Sequence, residues 1–428
     1  MSELQRAFAK AKLAGLPPVL PEPLVDLDEE EEERDVFPEL STERSDDDSS
    51  SASSASSASS TGTIRPTSSS RLFARPMGSP NRSPAHFAPL PWTSYFERDL
   101  KISHIDSNLK VTHQVYLTSP LSSPTKPGPL FVTHHGAGSS GLTFAMLAKS
   151  IRALLPNAGI LSLDARGHGS TTIETLNERD PMDGILDVSL ETLTDDLITV
   201  IQKTKEVMNW PTMPPIILIG HSLGGSVVTS VAARGTLESS LLCYAVLDIV
   251  ERTAIESLAS MAGYLKSRPA TFPSLEAGIA WHVRTGSLKN VESARVSVPP
   301  LLTLLYNKPK DDTNSTAARQ IYNWRADLAS TEPFWTGWFV GLSDRFLSSR
   351  GGKLLILAGT ERLDKEMMIG QMQGKYALQI FPDAGHFLHE DQPEKTAQSI
   401  VDFYKRNDRS AMVLPPKVSD MLQQGKKV

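Results

Sequence analysis

The chain has 428 residues, 39% of them apolar, which is enough for a large hydrophobic core. Net charge is −6 and its excess sits at the start: residues 1–90 hold 9 basic and 15 acidic side chains, the remainder 34 of each. A neutral globular part offers no basic field for nucleic acid, no apolar run approaches the roughly 18 residues of a membrane span, and one cysteine, Cys243, cannot build a disulfide framework within the chain.

Residues 1–91 read as a disordered tail. "DLDEEEEERD" (26–35) is an acidic block, "SSSASSASSASSTGT" (49–63) is low-complexity, and "RPMGSPNRSP" follows, so little apolar area is available to offset ordering entropy. Ser79-Pro80 and Ser83-Pro84 are candidate phosphorylation sites, although such pairs are common in solvated tails. The first residues lack the continuous apolar region of a secretory signal, and Glu3 and the acidic block oppose a mitochondrial presequence. A reducing compartment, cytoplasm or nucleus, is the expected location.

From residue 92 to about 408 strands and helices alternate. "KVTHQVYLT" (110–118) alternates as a strand, and "GPLFVTHH" (128–135) reads as a buried strand. A helix follows at 142–155, a strand at 159–164, and a helix at 189–208 with Ser189 as N-cap. "PIILIG" (215–220) is another buried strand, then a helix from Ser222, the strand "LCYAVLD" and a helix near 251–267. Strands at 353–359 and 376–382 and a helix at 393–407 close the pattern, with residues 409–428 as a C-terminal tail. The fold class is α/β, a mostly parallel sheet covered on both faces. Between about 270 and 350 the alternation breaks. "NKPKDDTNST" (307–316) reads as a flexible loop and "STEPFWTGWFVGLSDRFL" (330–347) as aromatic and helix-like, so a cap or lid is expected over the carboxyl ends of the strands.

Gly220-His221-Ser222-Leu223-Gly224 fits the G-x-S-x-G nucleophile elbow at the strand-to-helix junction that pattern requires. The sharp turn lifts the Ser222 hydroxyl above the sheet, and serine rather than aspartate favours acyl transfer. An oxyanion needs two donors. Leu223 N–H follows the nucleophile, and "THHGAGSSG" offers Ala137 N–H in the loop after an earlier strand. His134 and His135 lack a third metal ligand at sensible spacing, so no metal or cofactor is expected and His135 reads as shaping the loop. The base should be a late histidine: in "FPDAGHFLHED", His386 lies on the loop, while His389 starts the next element. For the acid, Asp364 and Asp248 both end suitable strands and are not separable by pattern. Asp164 reads as structural.

Several segments together resemble the protein phosphatase methylesterase family: "LIGHSLGGS", "VLDIVE", "RPATFPSLEAGIAW", "ESARVS", "WRADLASTEPFWTGWFVGLSDRFL", "RLDKEMMIGQMQGKY" and "GHFLHED". The resemblance covers roughly residues 92–407. It implies an α/β-hydrolase that removes the methyl ester from the C-terminal leucine of the catalytic subunit of type-2A protein phosphatase. It places the triad on Ser222, Asp248 and His386 and leaves Asp364 a supporting role beside the substrate. It also implies stable association with inactive phosphatase. The chain departs from the family's glycine run in having Gly136-Ala137-Gly138. Trp335 and Trp338 are candidates for the groove that holds the substrate tail, with core packing the equal alternative. A monomer is expected, acting without membrane or nucleic-acid partners. The competing readings are a generic esterase or lipase of the same fold and a phosphatase-binding regulator whose chemistry is secondary.

Overall fold

In the computed structural model, residues 84–121, 127–176, 185–307, 319–358 and 363–408 are described. The acidic and serine-rich stretches, the 308–316 part of the expected loop and the expected C-terminal tail lie outside them. The strands in chain order are β1 (Arg98–Asp106), β2 (Leu109–Thr118), β3 (Leu130–His134), β4 (Gly159–Leu163), β5 (Thr172–Thr175), β6 (Ile216–His221), β7 (Leu241–Leu247), β8 (Thr271–Phe272), β9 (Leu302–Asn307), β10 (Arg319–Trp324), β11 (Gly352–Leu357) and β12 (Ala377–Ile380). The main sheet runs β1-β2-β4-β3-β6-β7-β11-β12, with β5 paired to β2. Its pairs from β4 through β12 are parallel, and β2 is antiparallel to its neighbours β1, β4 and β5.

The helices are α1 (Ala145–Leu154), α2 (Leu190–Val207), α3 (Leu223–Arg234), α4 (Glu251–Ser267), α5 (Leu275–Arg284), α6 (Val291–Ser297), α7 (Trp335–Phe339), α8 (Leu342–Ser348), α9 (Lys365–Met372), α10 (Leu388–Asp391) and α11 (Pro393–Asn407). Alternate strand residues feed opposite cores, as the two-residue period demands. Ile216 and Leu218 of β6 meet α2, α3 and α8 through Leu197, Val227 and Phe346. Ile217 and Ile219 meet α1 and α11 through Leu147, Ile151 and Ile400. The helix at 189–208 is α2, and Ser189 caps it by accepting from Thr192 N–H at 3.3 Å. Cys243 is buried in the second core, which pushes its thiol up to about 12.

The insertion divides into two parts. Residues 271–307 and 319–324 form a cap with its own small core, built on α5, α6 and an antiparallel sheet ordered β8-β10-β9. The segment 329–348 instead folds back into the main core, where Trp335, Trp338 and Phe346 are buried. The cap also draws in residues ahead of 92: Phe87 is buried in its core, and Leu90 N–H donates to Arg295 O at 2.9 Å. Packing against the cap therefore begins before the expected edge of the tail.

Candidate active site

Four loops at the carboxyl ends of β3, β6, β7 and β12 converge, where an open parallel sheet presents its ligand site. Ser222 follows β6 with φ +51° and ψ −122°, a sparsely populated positive-φ conformation costing about 1–3 kcal/mol for a residue with a side chain. The surroundings impose it. Ser222 N–H donates to Leu247 O at 3.0 Å, and Gly225 N–H donates to Ser222 O at 2.7 Å. The flanking glycines are needed for close approach: a Cβ on Gly220 would lie 2.1 Å from Gly224 O, and one on Gly224 would lie 2.0 Å from His134 O. Ser222 is the N-cap residue of α3, yet its side chain caps nothing, so the hydroxyl is free for chemistry.

Asp248 follows β7 at φ +52°. Its N–H donates to Ile356 O at 2.8 Å, and its Oδ1 accepts from Ala358 N–H at 2.6 Å. The remaining oxygen, Oδ2, lies 2.7 Å from His386 Nδ1. An ionised carboxylate only accepts, so Nδ1 carries the proton and Nε2 is left as the basic nitrogen. The His386 loop is fastened on both sides. His221 Nε2–H donates to His386 O at 2.8 Å, and Gly385 N–H donates to Asp391 Oδ2 at 2.7 Å. His221 is buried, which holds its pKa well below the ordinary value and keeps the ring neutral as a donor. His386 itself is half exposed. Its ring centroid stands 4.6 Å from that of His221, the residue before the serine. Among the described residues no hydrogen bond joins Ser222 to His386. Catalytic hydrogen bonds commonly tighten only when substrate is bound.

The oxyanion loop is shaped by buried histidines. His135 Nδ1–H donates to Gly136 O at 2.8 Å while its Nε2 accepts from Ala165 N–H at 2.9 Å. His168 Nε2 accepts from Gly138 N–H at 2.9 Å. Burial lowers the pKa of both rings, which stay neutral. Among the described residues, neither Ala137 N–H nor Leu223 N–H is spent on another hydrogen bond. Gly136 packs on the elbow: a Cβ there would sit 3.0 Å from Ser222 Cβ.

The other candidate residues are placed differently. His389 is fully buried, stacked on Phe144 and bonded to Thr143 Oγ1 at 3.0 Å; burial brings it down to about 3. Asp364 is the N-cap of α9, its Oδ1 accepting from Met367 N–H at 3.0 Å and its Oδ2 from Ser343 Oγ–H at 2.5 Å. Asp164 ties down two loops through Gly141 and Ser170 N–H, each at 2.7 Å. Trp338 is 2% exposed and donates its indole N–H to Val188 O at 2.8 Å; Trp335 donates to Thr331 Oγ1 at 2.9 Å. Both indoles are thus built into the main core, and Trp335 also reaches one wall of a surface groove under the cap.

One set with metal-ligand spacing occurs among the described residues, His104, His113 and Asp196. Both Asp196 oxygens accept from Arg166, at 2.9 and 2.7 Å, so a cation already holds that carboxylate. Beside the oxyanion loop lies a cavity of about 70 Å³, bounded by Ala137, Gly138 and Phe387 below and by Arg268, His282 and Trp324 above. The sequence reading missed these upper residues. They lie just after α4, in the last turn of α5 and at the end of β10, and although Arg268 and Trp324 open segments that carry the family resemblance, nothing within those segments singles them out.

This arrangement has counterparts. The alpha/beta hydrolase family matches residues 130–399. The peroxisomal α/β-hydrolase Lpx1 of Saccharomyces cerevisiae shares the fold with a TM-score of 0.53 at 14% identity, over 79% of this chain and 94% of that one. Two curated relatives are far more similar. Protein phosphatase methylesterase 1 of Gibberella zeae is 54% identical, and that of Neurospora crassa 52%, each over the full length of both chains. The chain belongs to the alpha/beta hydrolases and, within them, to the protein phosphatase methylesterases, a family of esterases.

Proposed function

We propose that this enzyme removes the methyl ester from the C-terminal leucine of the type-2A protein phosphatase catalytic subunit through Ser222, His386 and Asp248. The observation that carries the chemistry is the Asp248–His386 contact of 2.7 Å beside a serine held at positive φ. The leucine ester follows from the family likeness. His386 Nε2 takes the Ser222 proton as Oγ attacks the ester carbonyl. Ala137 and Leu223 N–H receive the developing oxyanion. His386 then protonates departing methoxide, and the same ring activates water to release the leucine carboxylate and regenerate Ser222. Asp248 holds the tautomer and steadies the imidazolium. The enzyme acts as a monomer on its protein partner and needs no cofactor for these steps.

A lone methyl group gives little discrimination, since one methylene is worth about 1–3 kcal/mol in a pocket. Selectivity must therefore lie in the peptide and protein surface around the ester. The decisive experiment follows methyl release from methylated type-2A phosphatase with wild type and Ser222→Ala. Wild type should release methyl, and the variant should lose about 10⁴-fold or more while staying folded. Hydrolysis of a small synthetic ester without methyl release would point to a generic esterase.

A further inference from the structure

The small cavity at the oxyanion loop meets a larger surface groove of about 780 Å³, and three side chains line both: Arg268, Trp324 and Leu328. Leu328 closes the inner side, its Cδ1 only 2.7 Å from where a Cβ on Gly138 would stand. Arg268 is the charged member of the junction. It follows α4 and precedes Pro269, which restricts its backbone to the extended form it shows, φ −70° and ψ 147°. The guanidinium lies 4.3 Å from the Trp324 ring centroid, and that ring is fixed by its own N–H donating to Pro269 O at 2.7 Å. The planar fork is thus pre-oriented.

Among the described residues no group accepts a hydrogen bond from Arg268. Arg268 Nε is buried with no hydrogen-bond partner, and among the described residues no carboxylate forms an ion pair with this guanidinium. Arg166 and Arg325 are engaged, the first holding Asp196 and Asp106 and the second donating to Pro300 O and Leu302 O, whereas Arg345 also has Nε and Nη2 without a partner but lines neither the cavity nor the groove. Arg268 is partly buried, and a buried donor left without a partner is costly unless something completes it. The cavity's own carboxyl does not, because both Glu390 oxygens accept from Thr143 and Ser293. The groove carries Lys266, Asp327 and Glu332 at its walls, so its charge is mixed and the demand for an anion is local to Arg268. The best fit to a stacked guanidinium fork is a carboxylate taken bidentately. The esterified end of the substrate is neutral, so that carboxylate must belong to a side chain a few residues earlier.

We propose that Arg268 is a specificity-determining residue of this esterase, pairing with an acidic side chain just upstream of the esterified C-terminus as the peptide passes from the outer groove to the inner cavity. The inference rests on the methylesterase reading above.

It is tested with short synthetic peptides ending in leucine methyl ester, made in pairs with Asp or Asn at each of the positions before the leucine. Wild type should prefer one Asp peptide over its Asn twin by about tenfold in kcat/KM, through KM. Arg268→Gln should abolish that preference, and Arg268→Lys, which keeps the charge but not the fork, should retain part of it. Equal rates on every Asp and Asn pair with wild type would overturn the proposal even if the Gln variant did not fold, as would a preference that survives in Arg268→Gln. Failure of the parent reading looks different: no peptide ester is hydrolysed while a small synthetic ester still is.

Discussion

At the rim of the parallel sheet, Ser222, Asp248 and His386 each lie within a few residues of a strand end, and neighbouring strands or their loops hold their backbones. At the cap, Arg268, His282 and Trp324 come from the residue after α4, the last turn of α5 and the end of β10, and they meet through ring packing. Among the contacts that join the two regions is Asp391, which accepts from Gly385 N–H at 2.7 Å and from Lys289 N–H at 2.8 Å. The difference teaches a division of labour. On the proposed reading, chemistry sits where the backbone is over-determined, and choice of substrate sits where side chains from distant segments meet.

The sharpest break of the rim is Asp248→Asn. The substitution preserves shape but lets the side-chain amide donate to His386 Nδ1, which favours the wrong tautomer at Nε2. A fall in kcat of about 10⁴-fold, with little change in thermal stability, is expected. A loss below tenfold would remove Asp248 from the triad.

Gly224→Ala breaks the same region mechanically. The new methyl would fall 2.0 Å from His134 O and 2.8 Å from His135 O, backbone atoms that cannot turn aside. We expect a destabilisation upwards of about 3 kcal/mol in urea unfolding, with the oxyanion loop displaced. The contrast is Gly286 in the cap, at φ +74° with open space around a Cβ, where alanine meets conformational strain alone and should cost about 1–2 kcal/mol.

Acid should weaken the fold, and the sign follows from buried rings. His134 and His282 are lowered to about 4 and His389 to about 3 by burial, and His135, His168 and His221 are also lowered. Unfolded histidines take protons near 6.5, so their stabilising contribution is complete above that value and is lost as pH falls toward the folded values. Glu390, raised to about 7, and Asp164, raised to about 6, act oppositely, because burial penalises their ionised forms as pH rises. The six rings outnumber the two carboxyls, so unfolding free energy should drop by on the order of a few kcal/mol between about pH 7 and about pH 5. A flat or rising stability over that interval would refute the account.

The comparison also explains what could be read from the chain. The β3, β4, β6, β7 and β11 strands are continuous apolar runs because both faces are covered, and the elbow is local because its two glycines answer a close approach only two residues from the serine. His386 and His389 were separable because one precedes α10 and the other lies within it. Pattern left Asp248 and Asp364 level, since each follows a strand of the sheet; the family resemblance favoured Asp248, and the tertiary structure has that carboxylate at the imidazole and Asp364 capping a helix. The strands β8, β9 and β10 were not foreseen. Their runs are short, and β8 reaches β10 only across α5 and α6. Arg268 and Trp324 open two of the segments that carry the family resemblance, yet the role of Arg268 could not be read from its own segment, because it depends on the packing of Trp324 more than fifty residues away.

The smallest prediction separates packing from recognition at Trp338. This indole lies at the aromatic segment that sequence alone left divided between a substrate groove and a core. Its ring packs among α2, α3 and α8, and its N–H satisfies Val188 O, a buried carbonyl ahead of α2. Trp338→Phe keeps an aromatic ring in that space and removes the donor, so an orphaned acceptor and a small void should cost about 2 kcal/mol of stability. If the role is packing, KM for a peptide methyl ester changes by less than about twofold, because the ester site is held by β3, β6, β7 and β12 and not by this ring. A variant of unchanged stability whose KM rises about tenfold would place Trp338 in the groove instead, and the boundary between rim and cap would then have to be redrawn through α7.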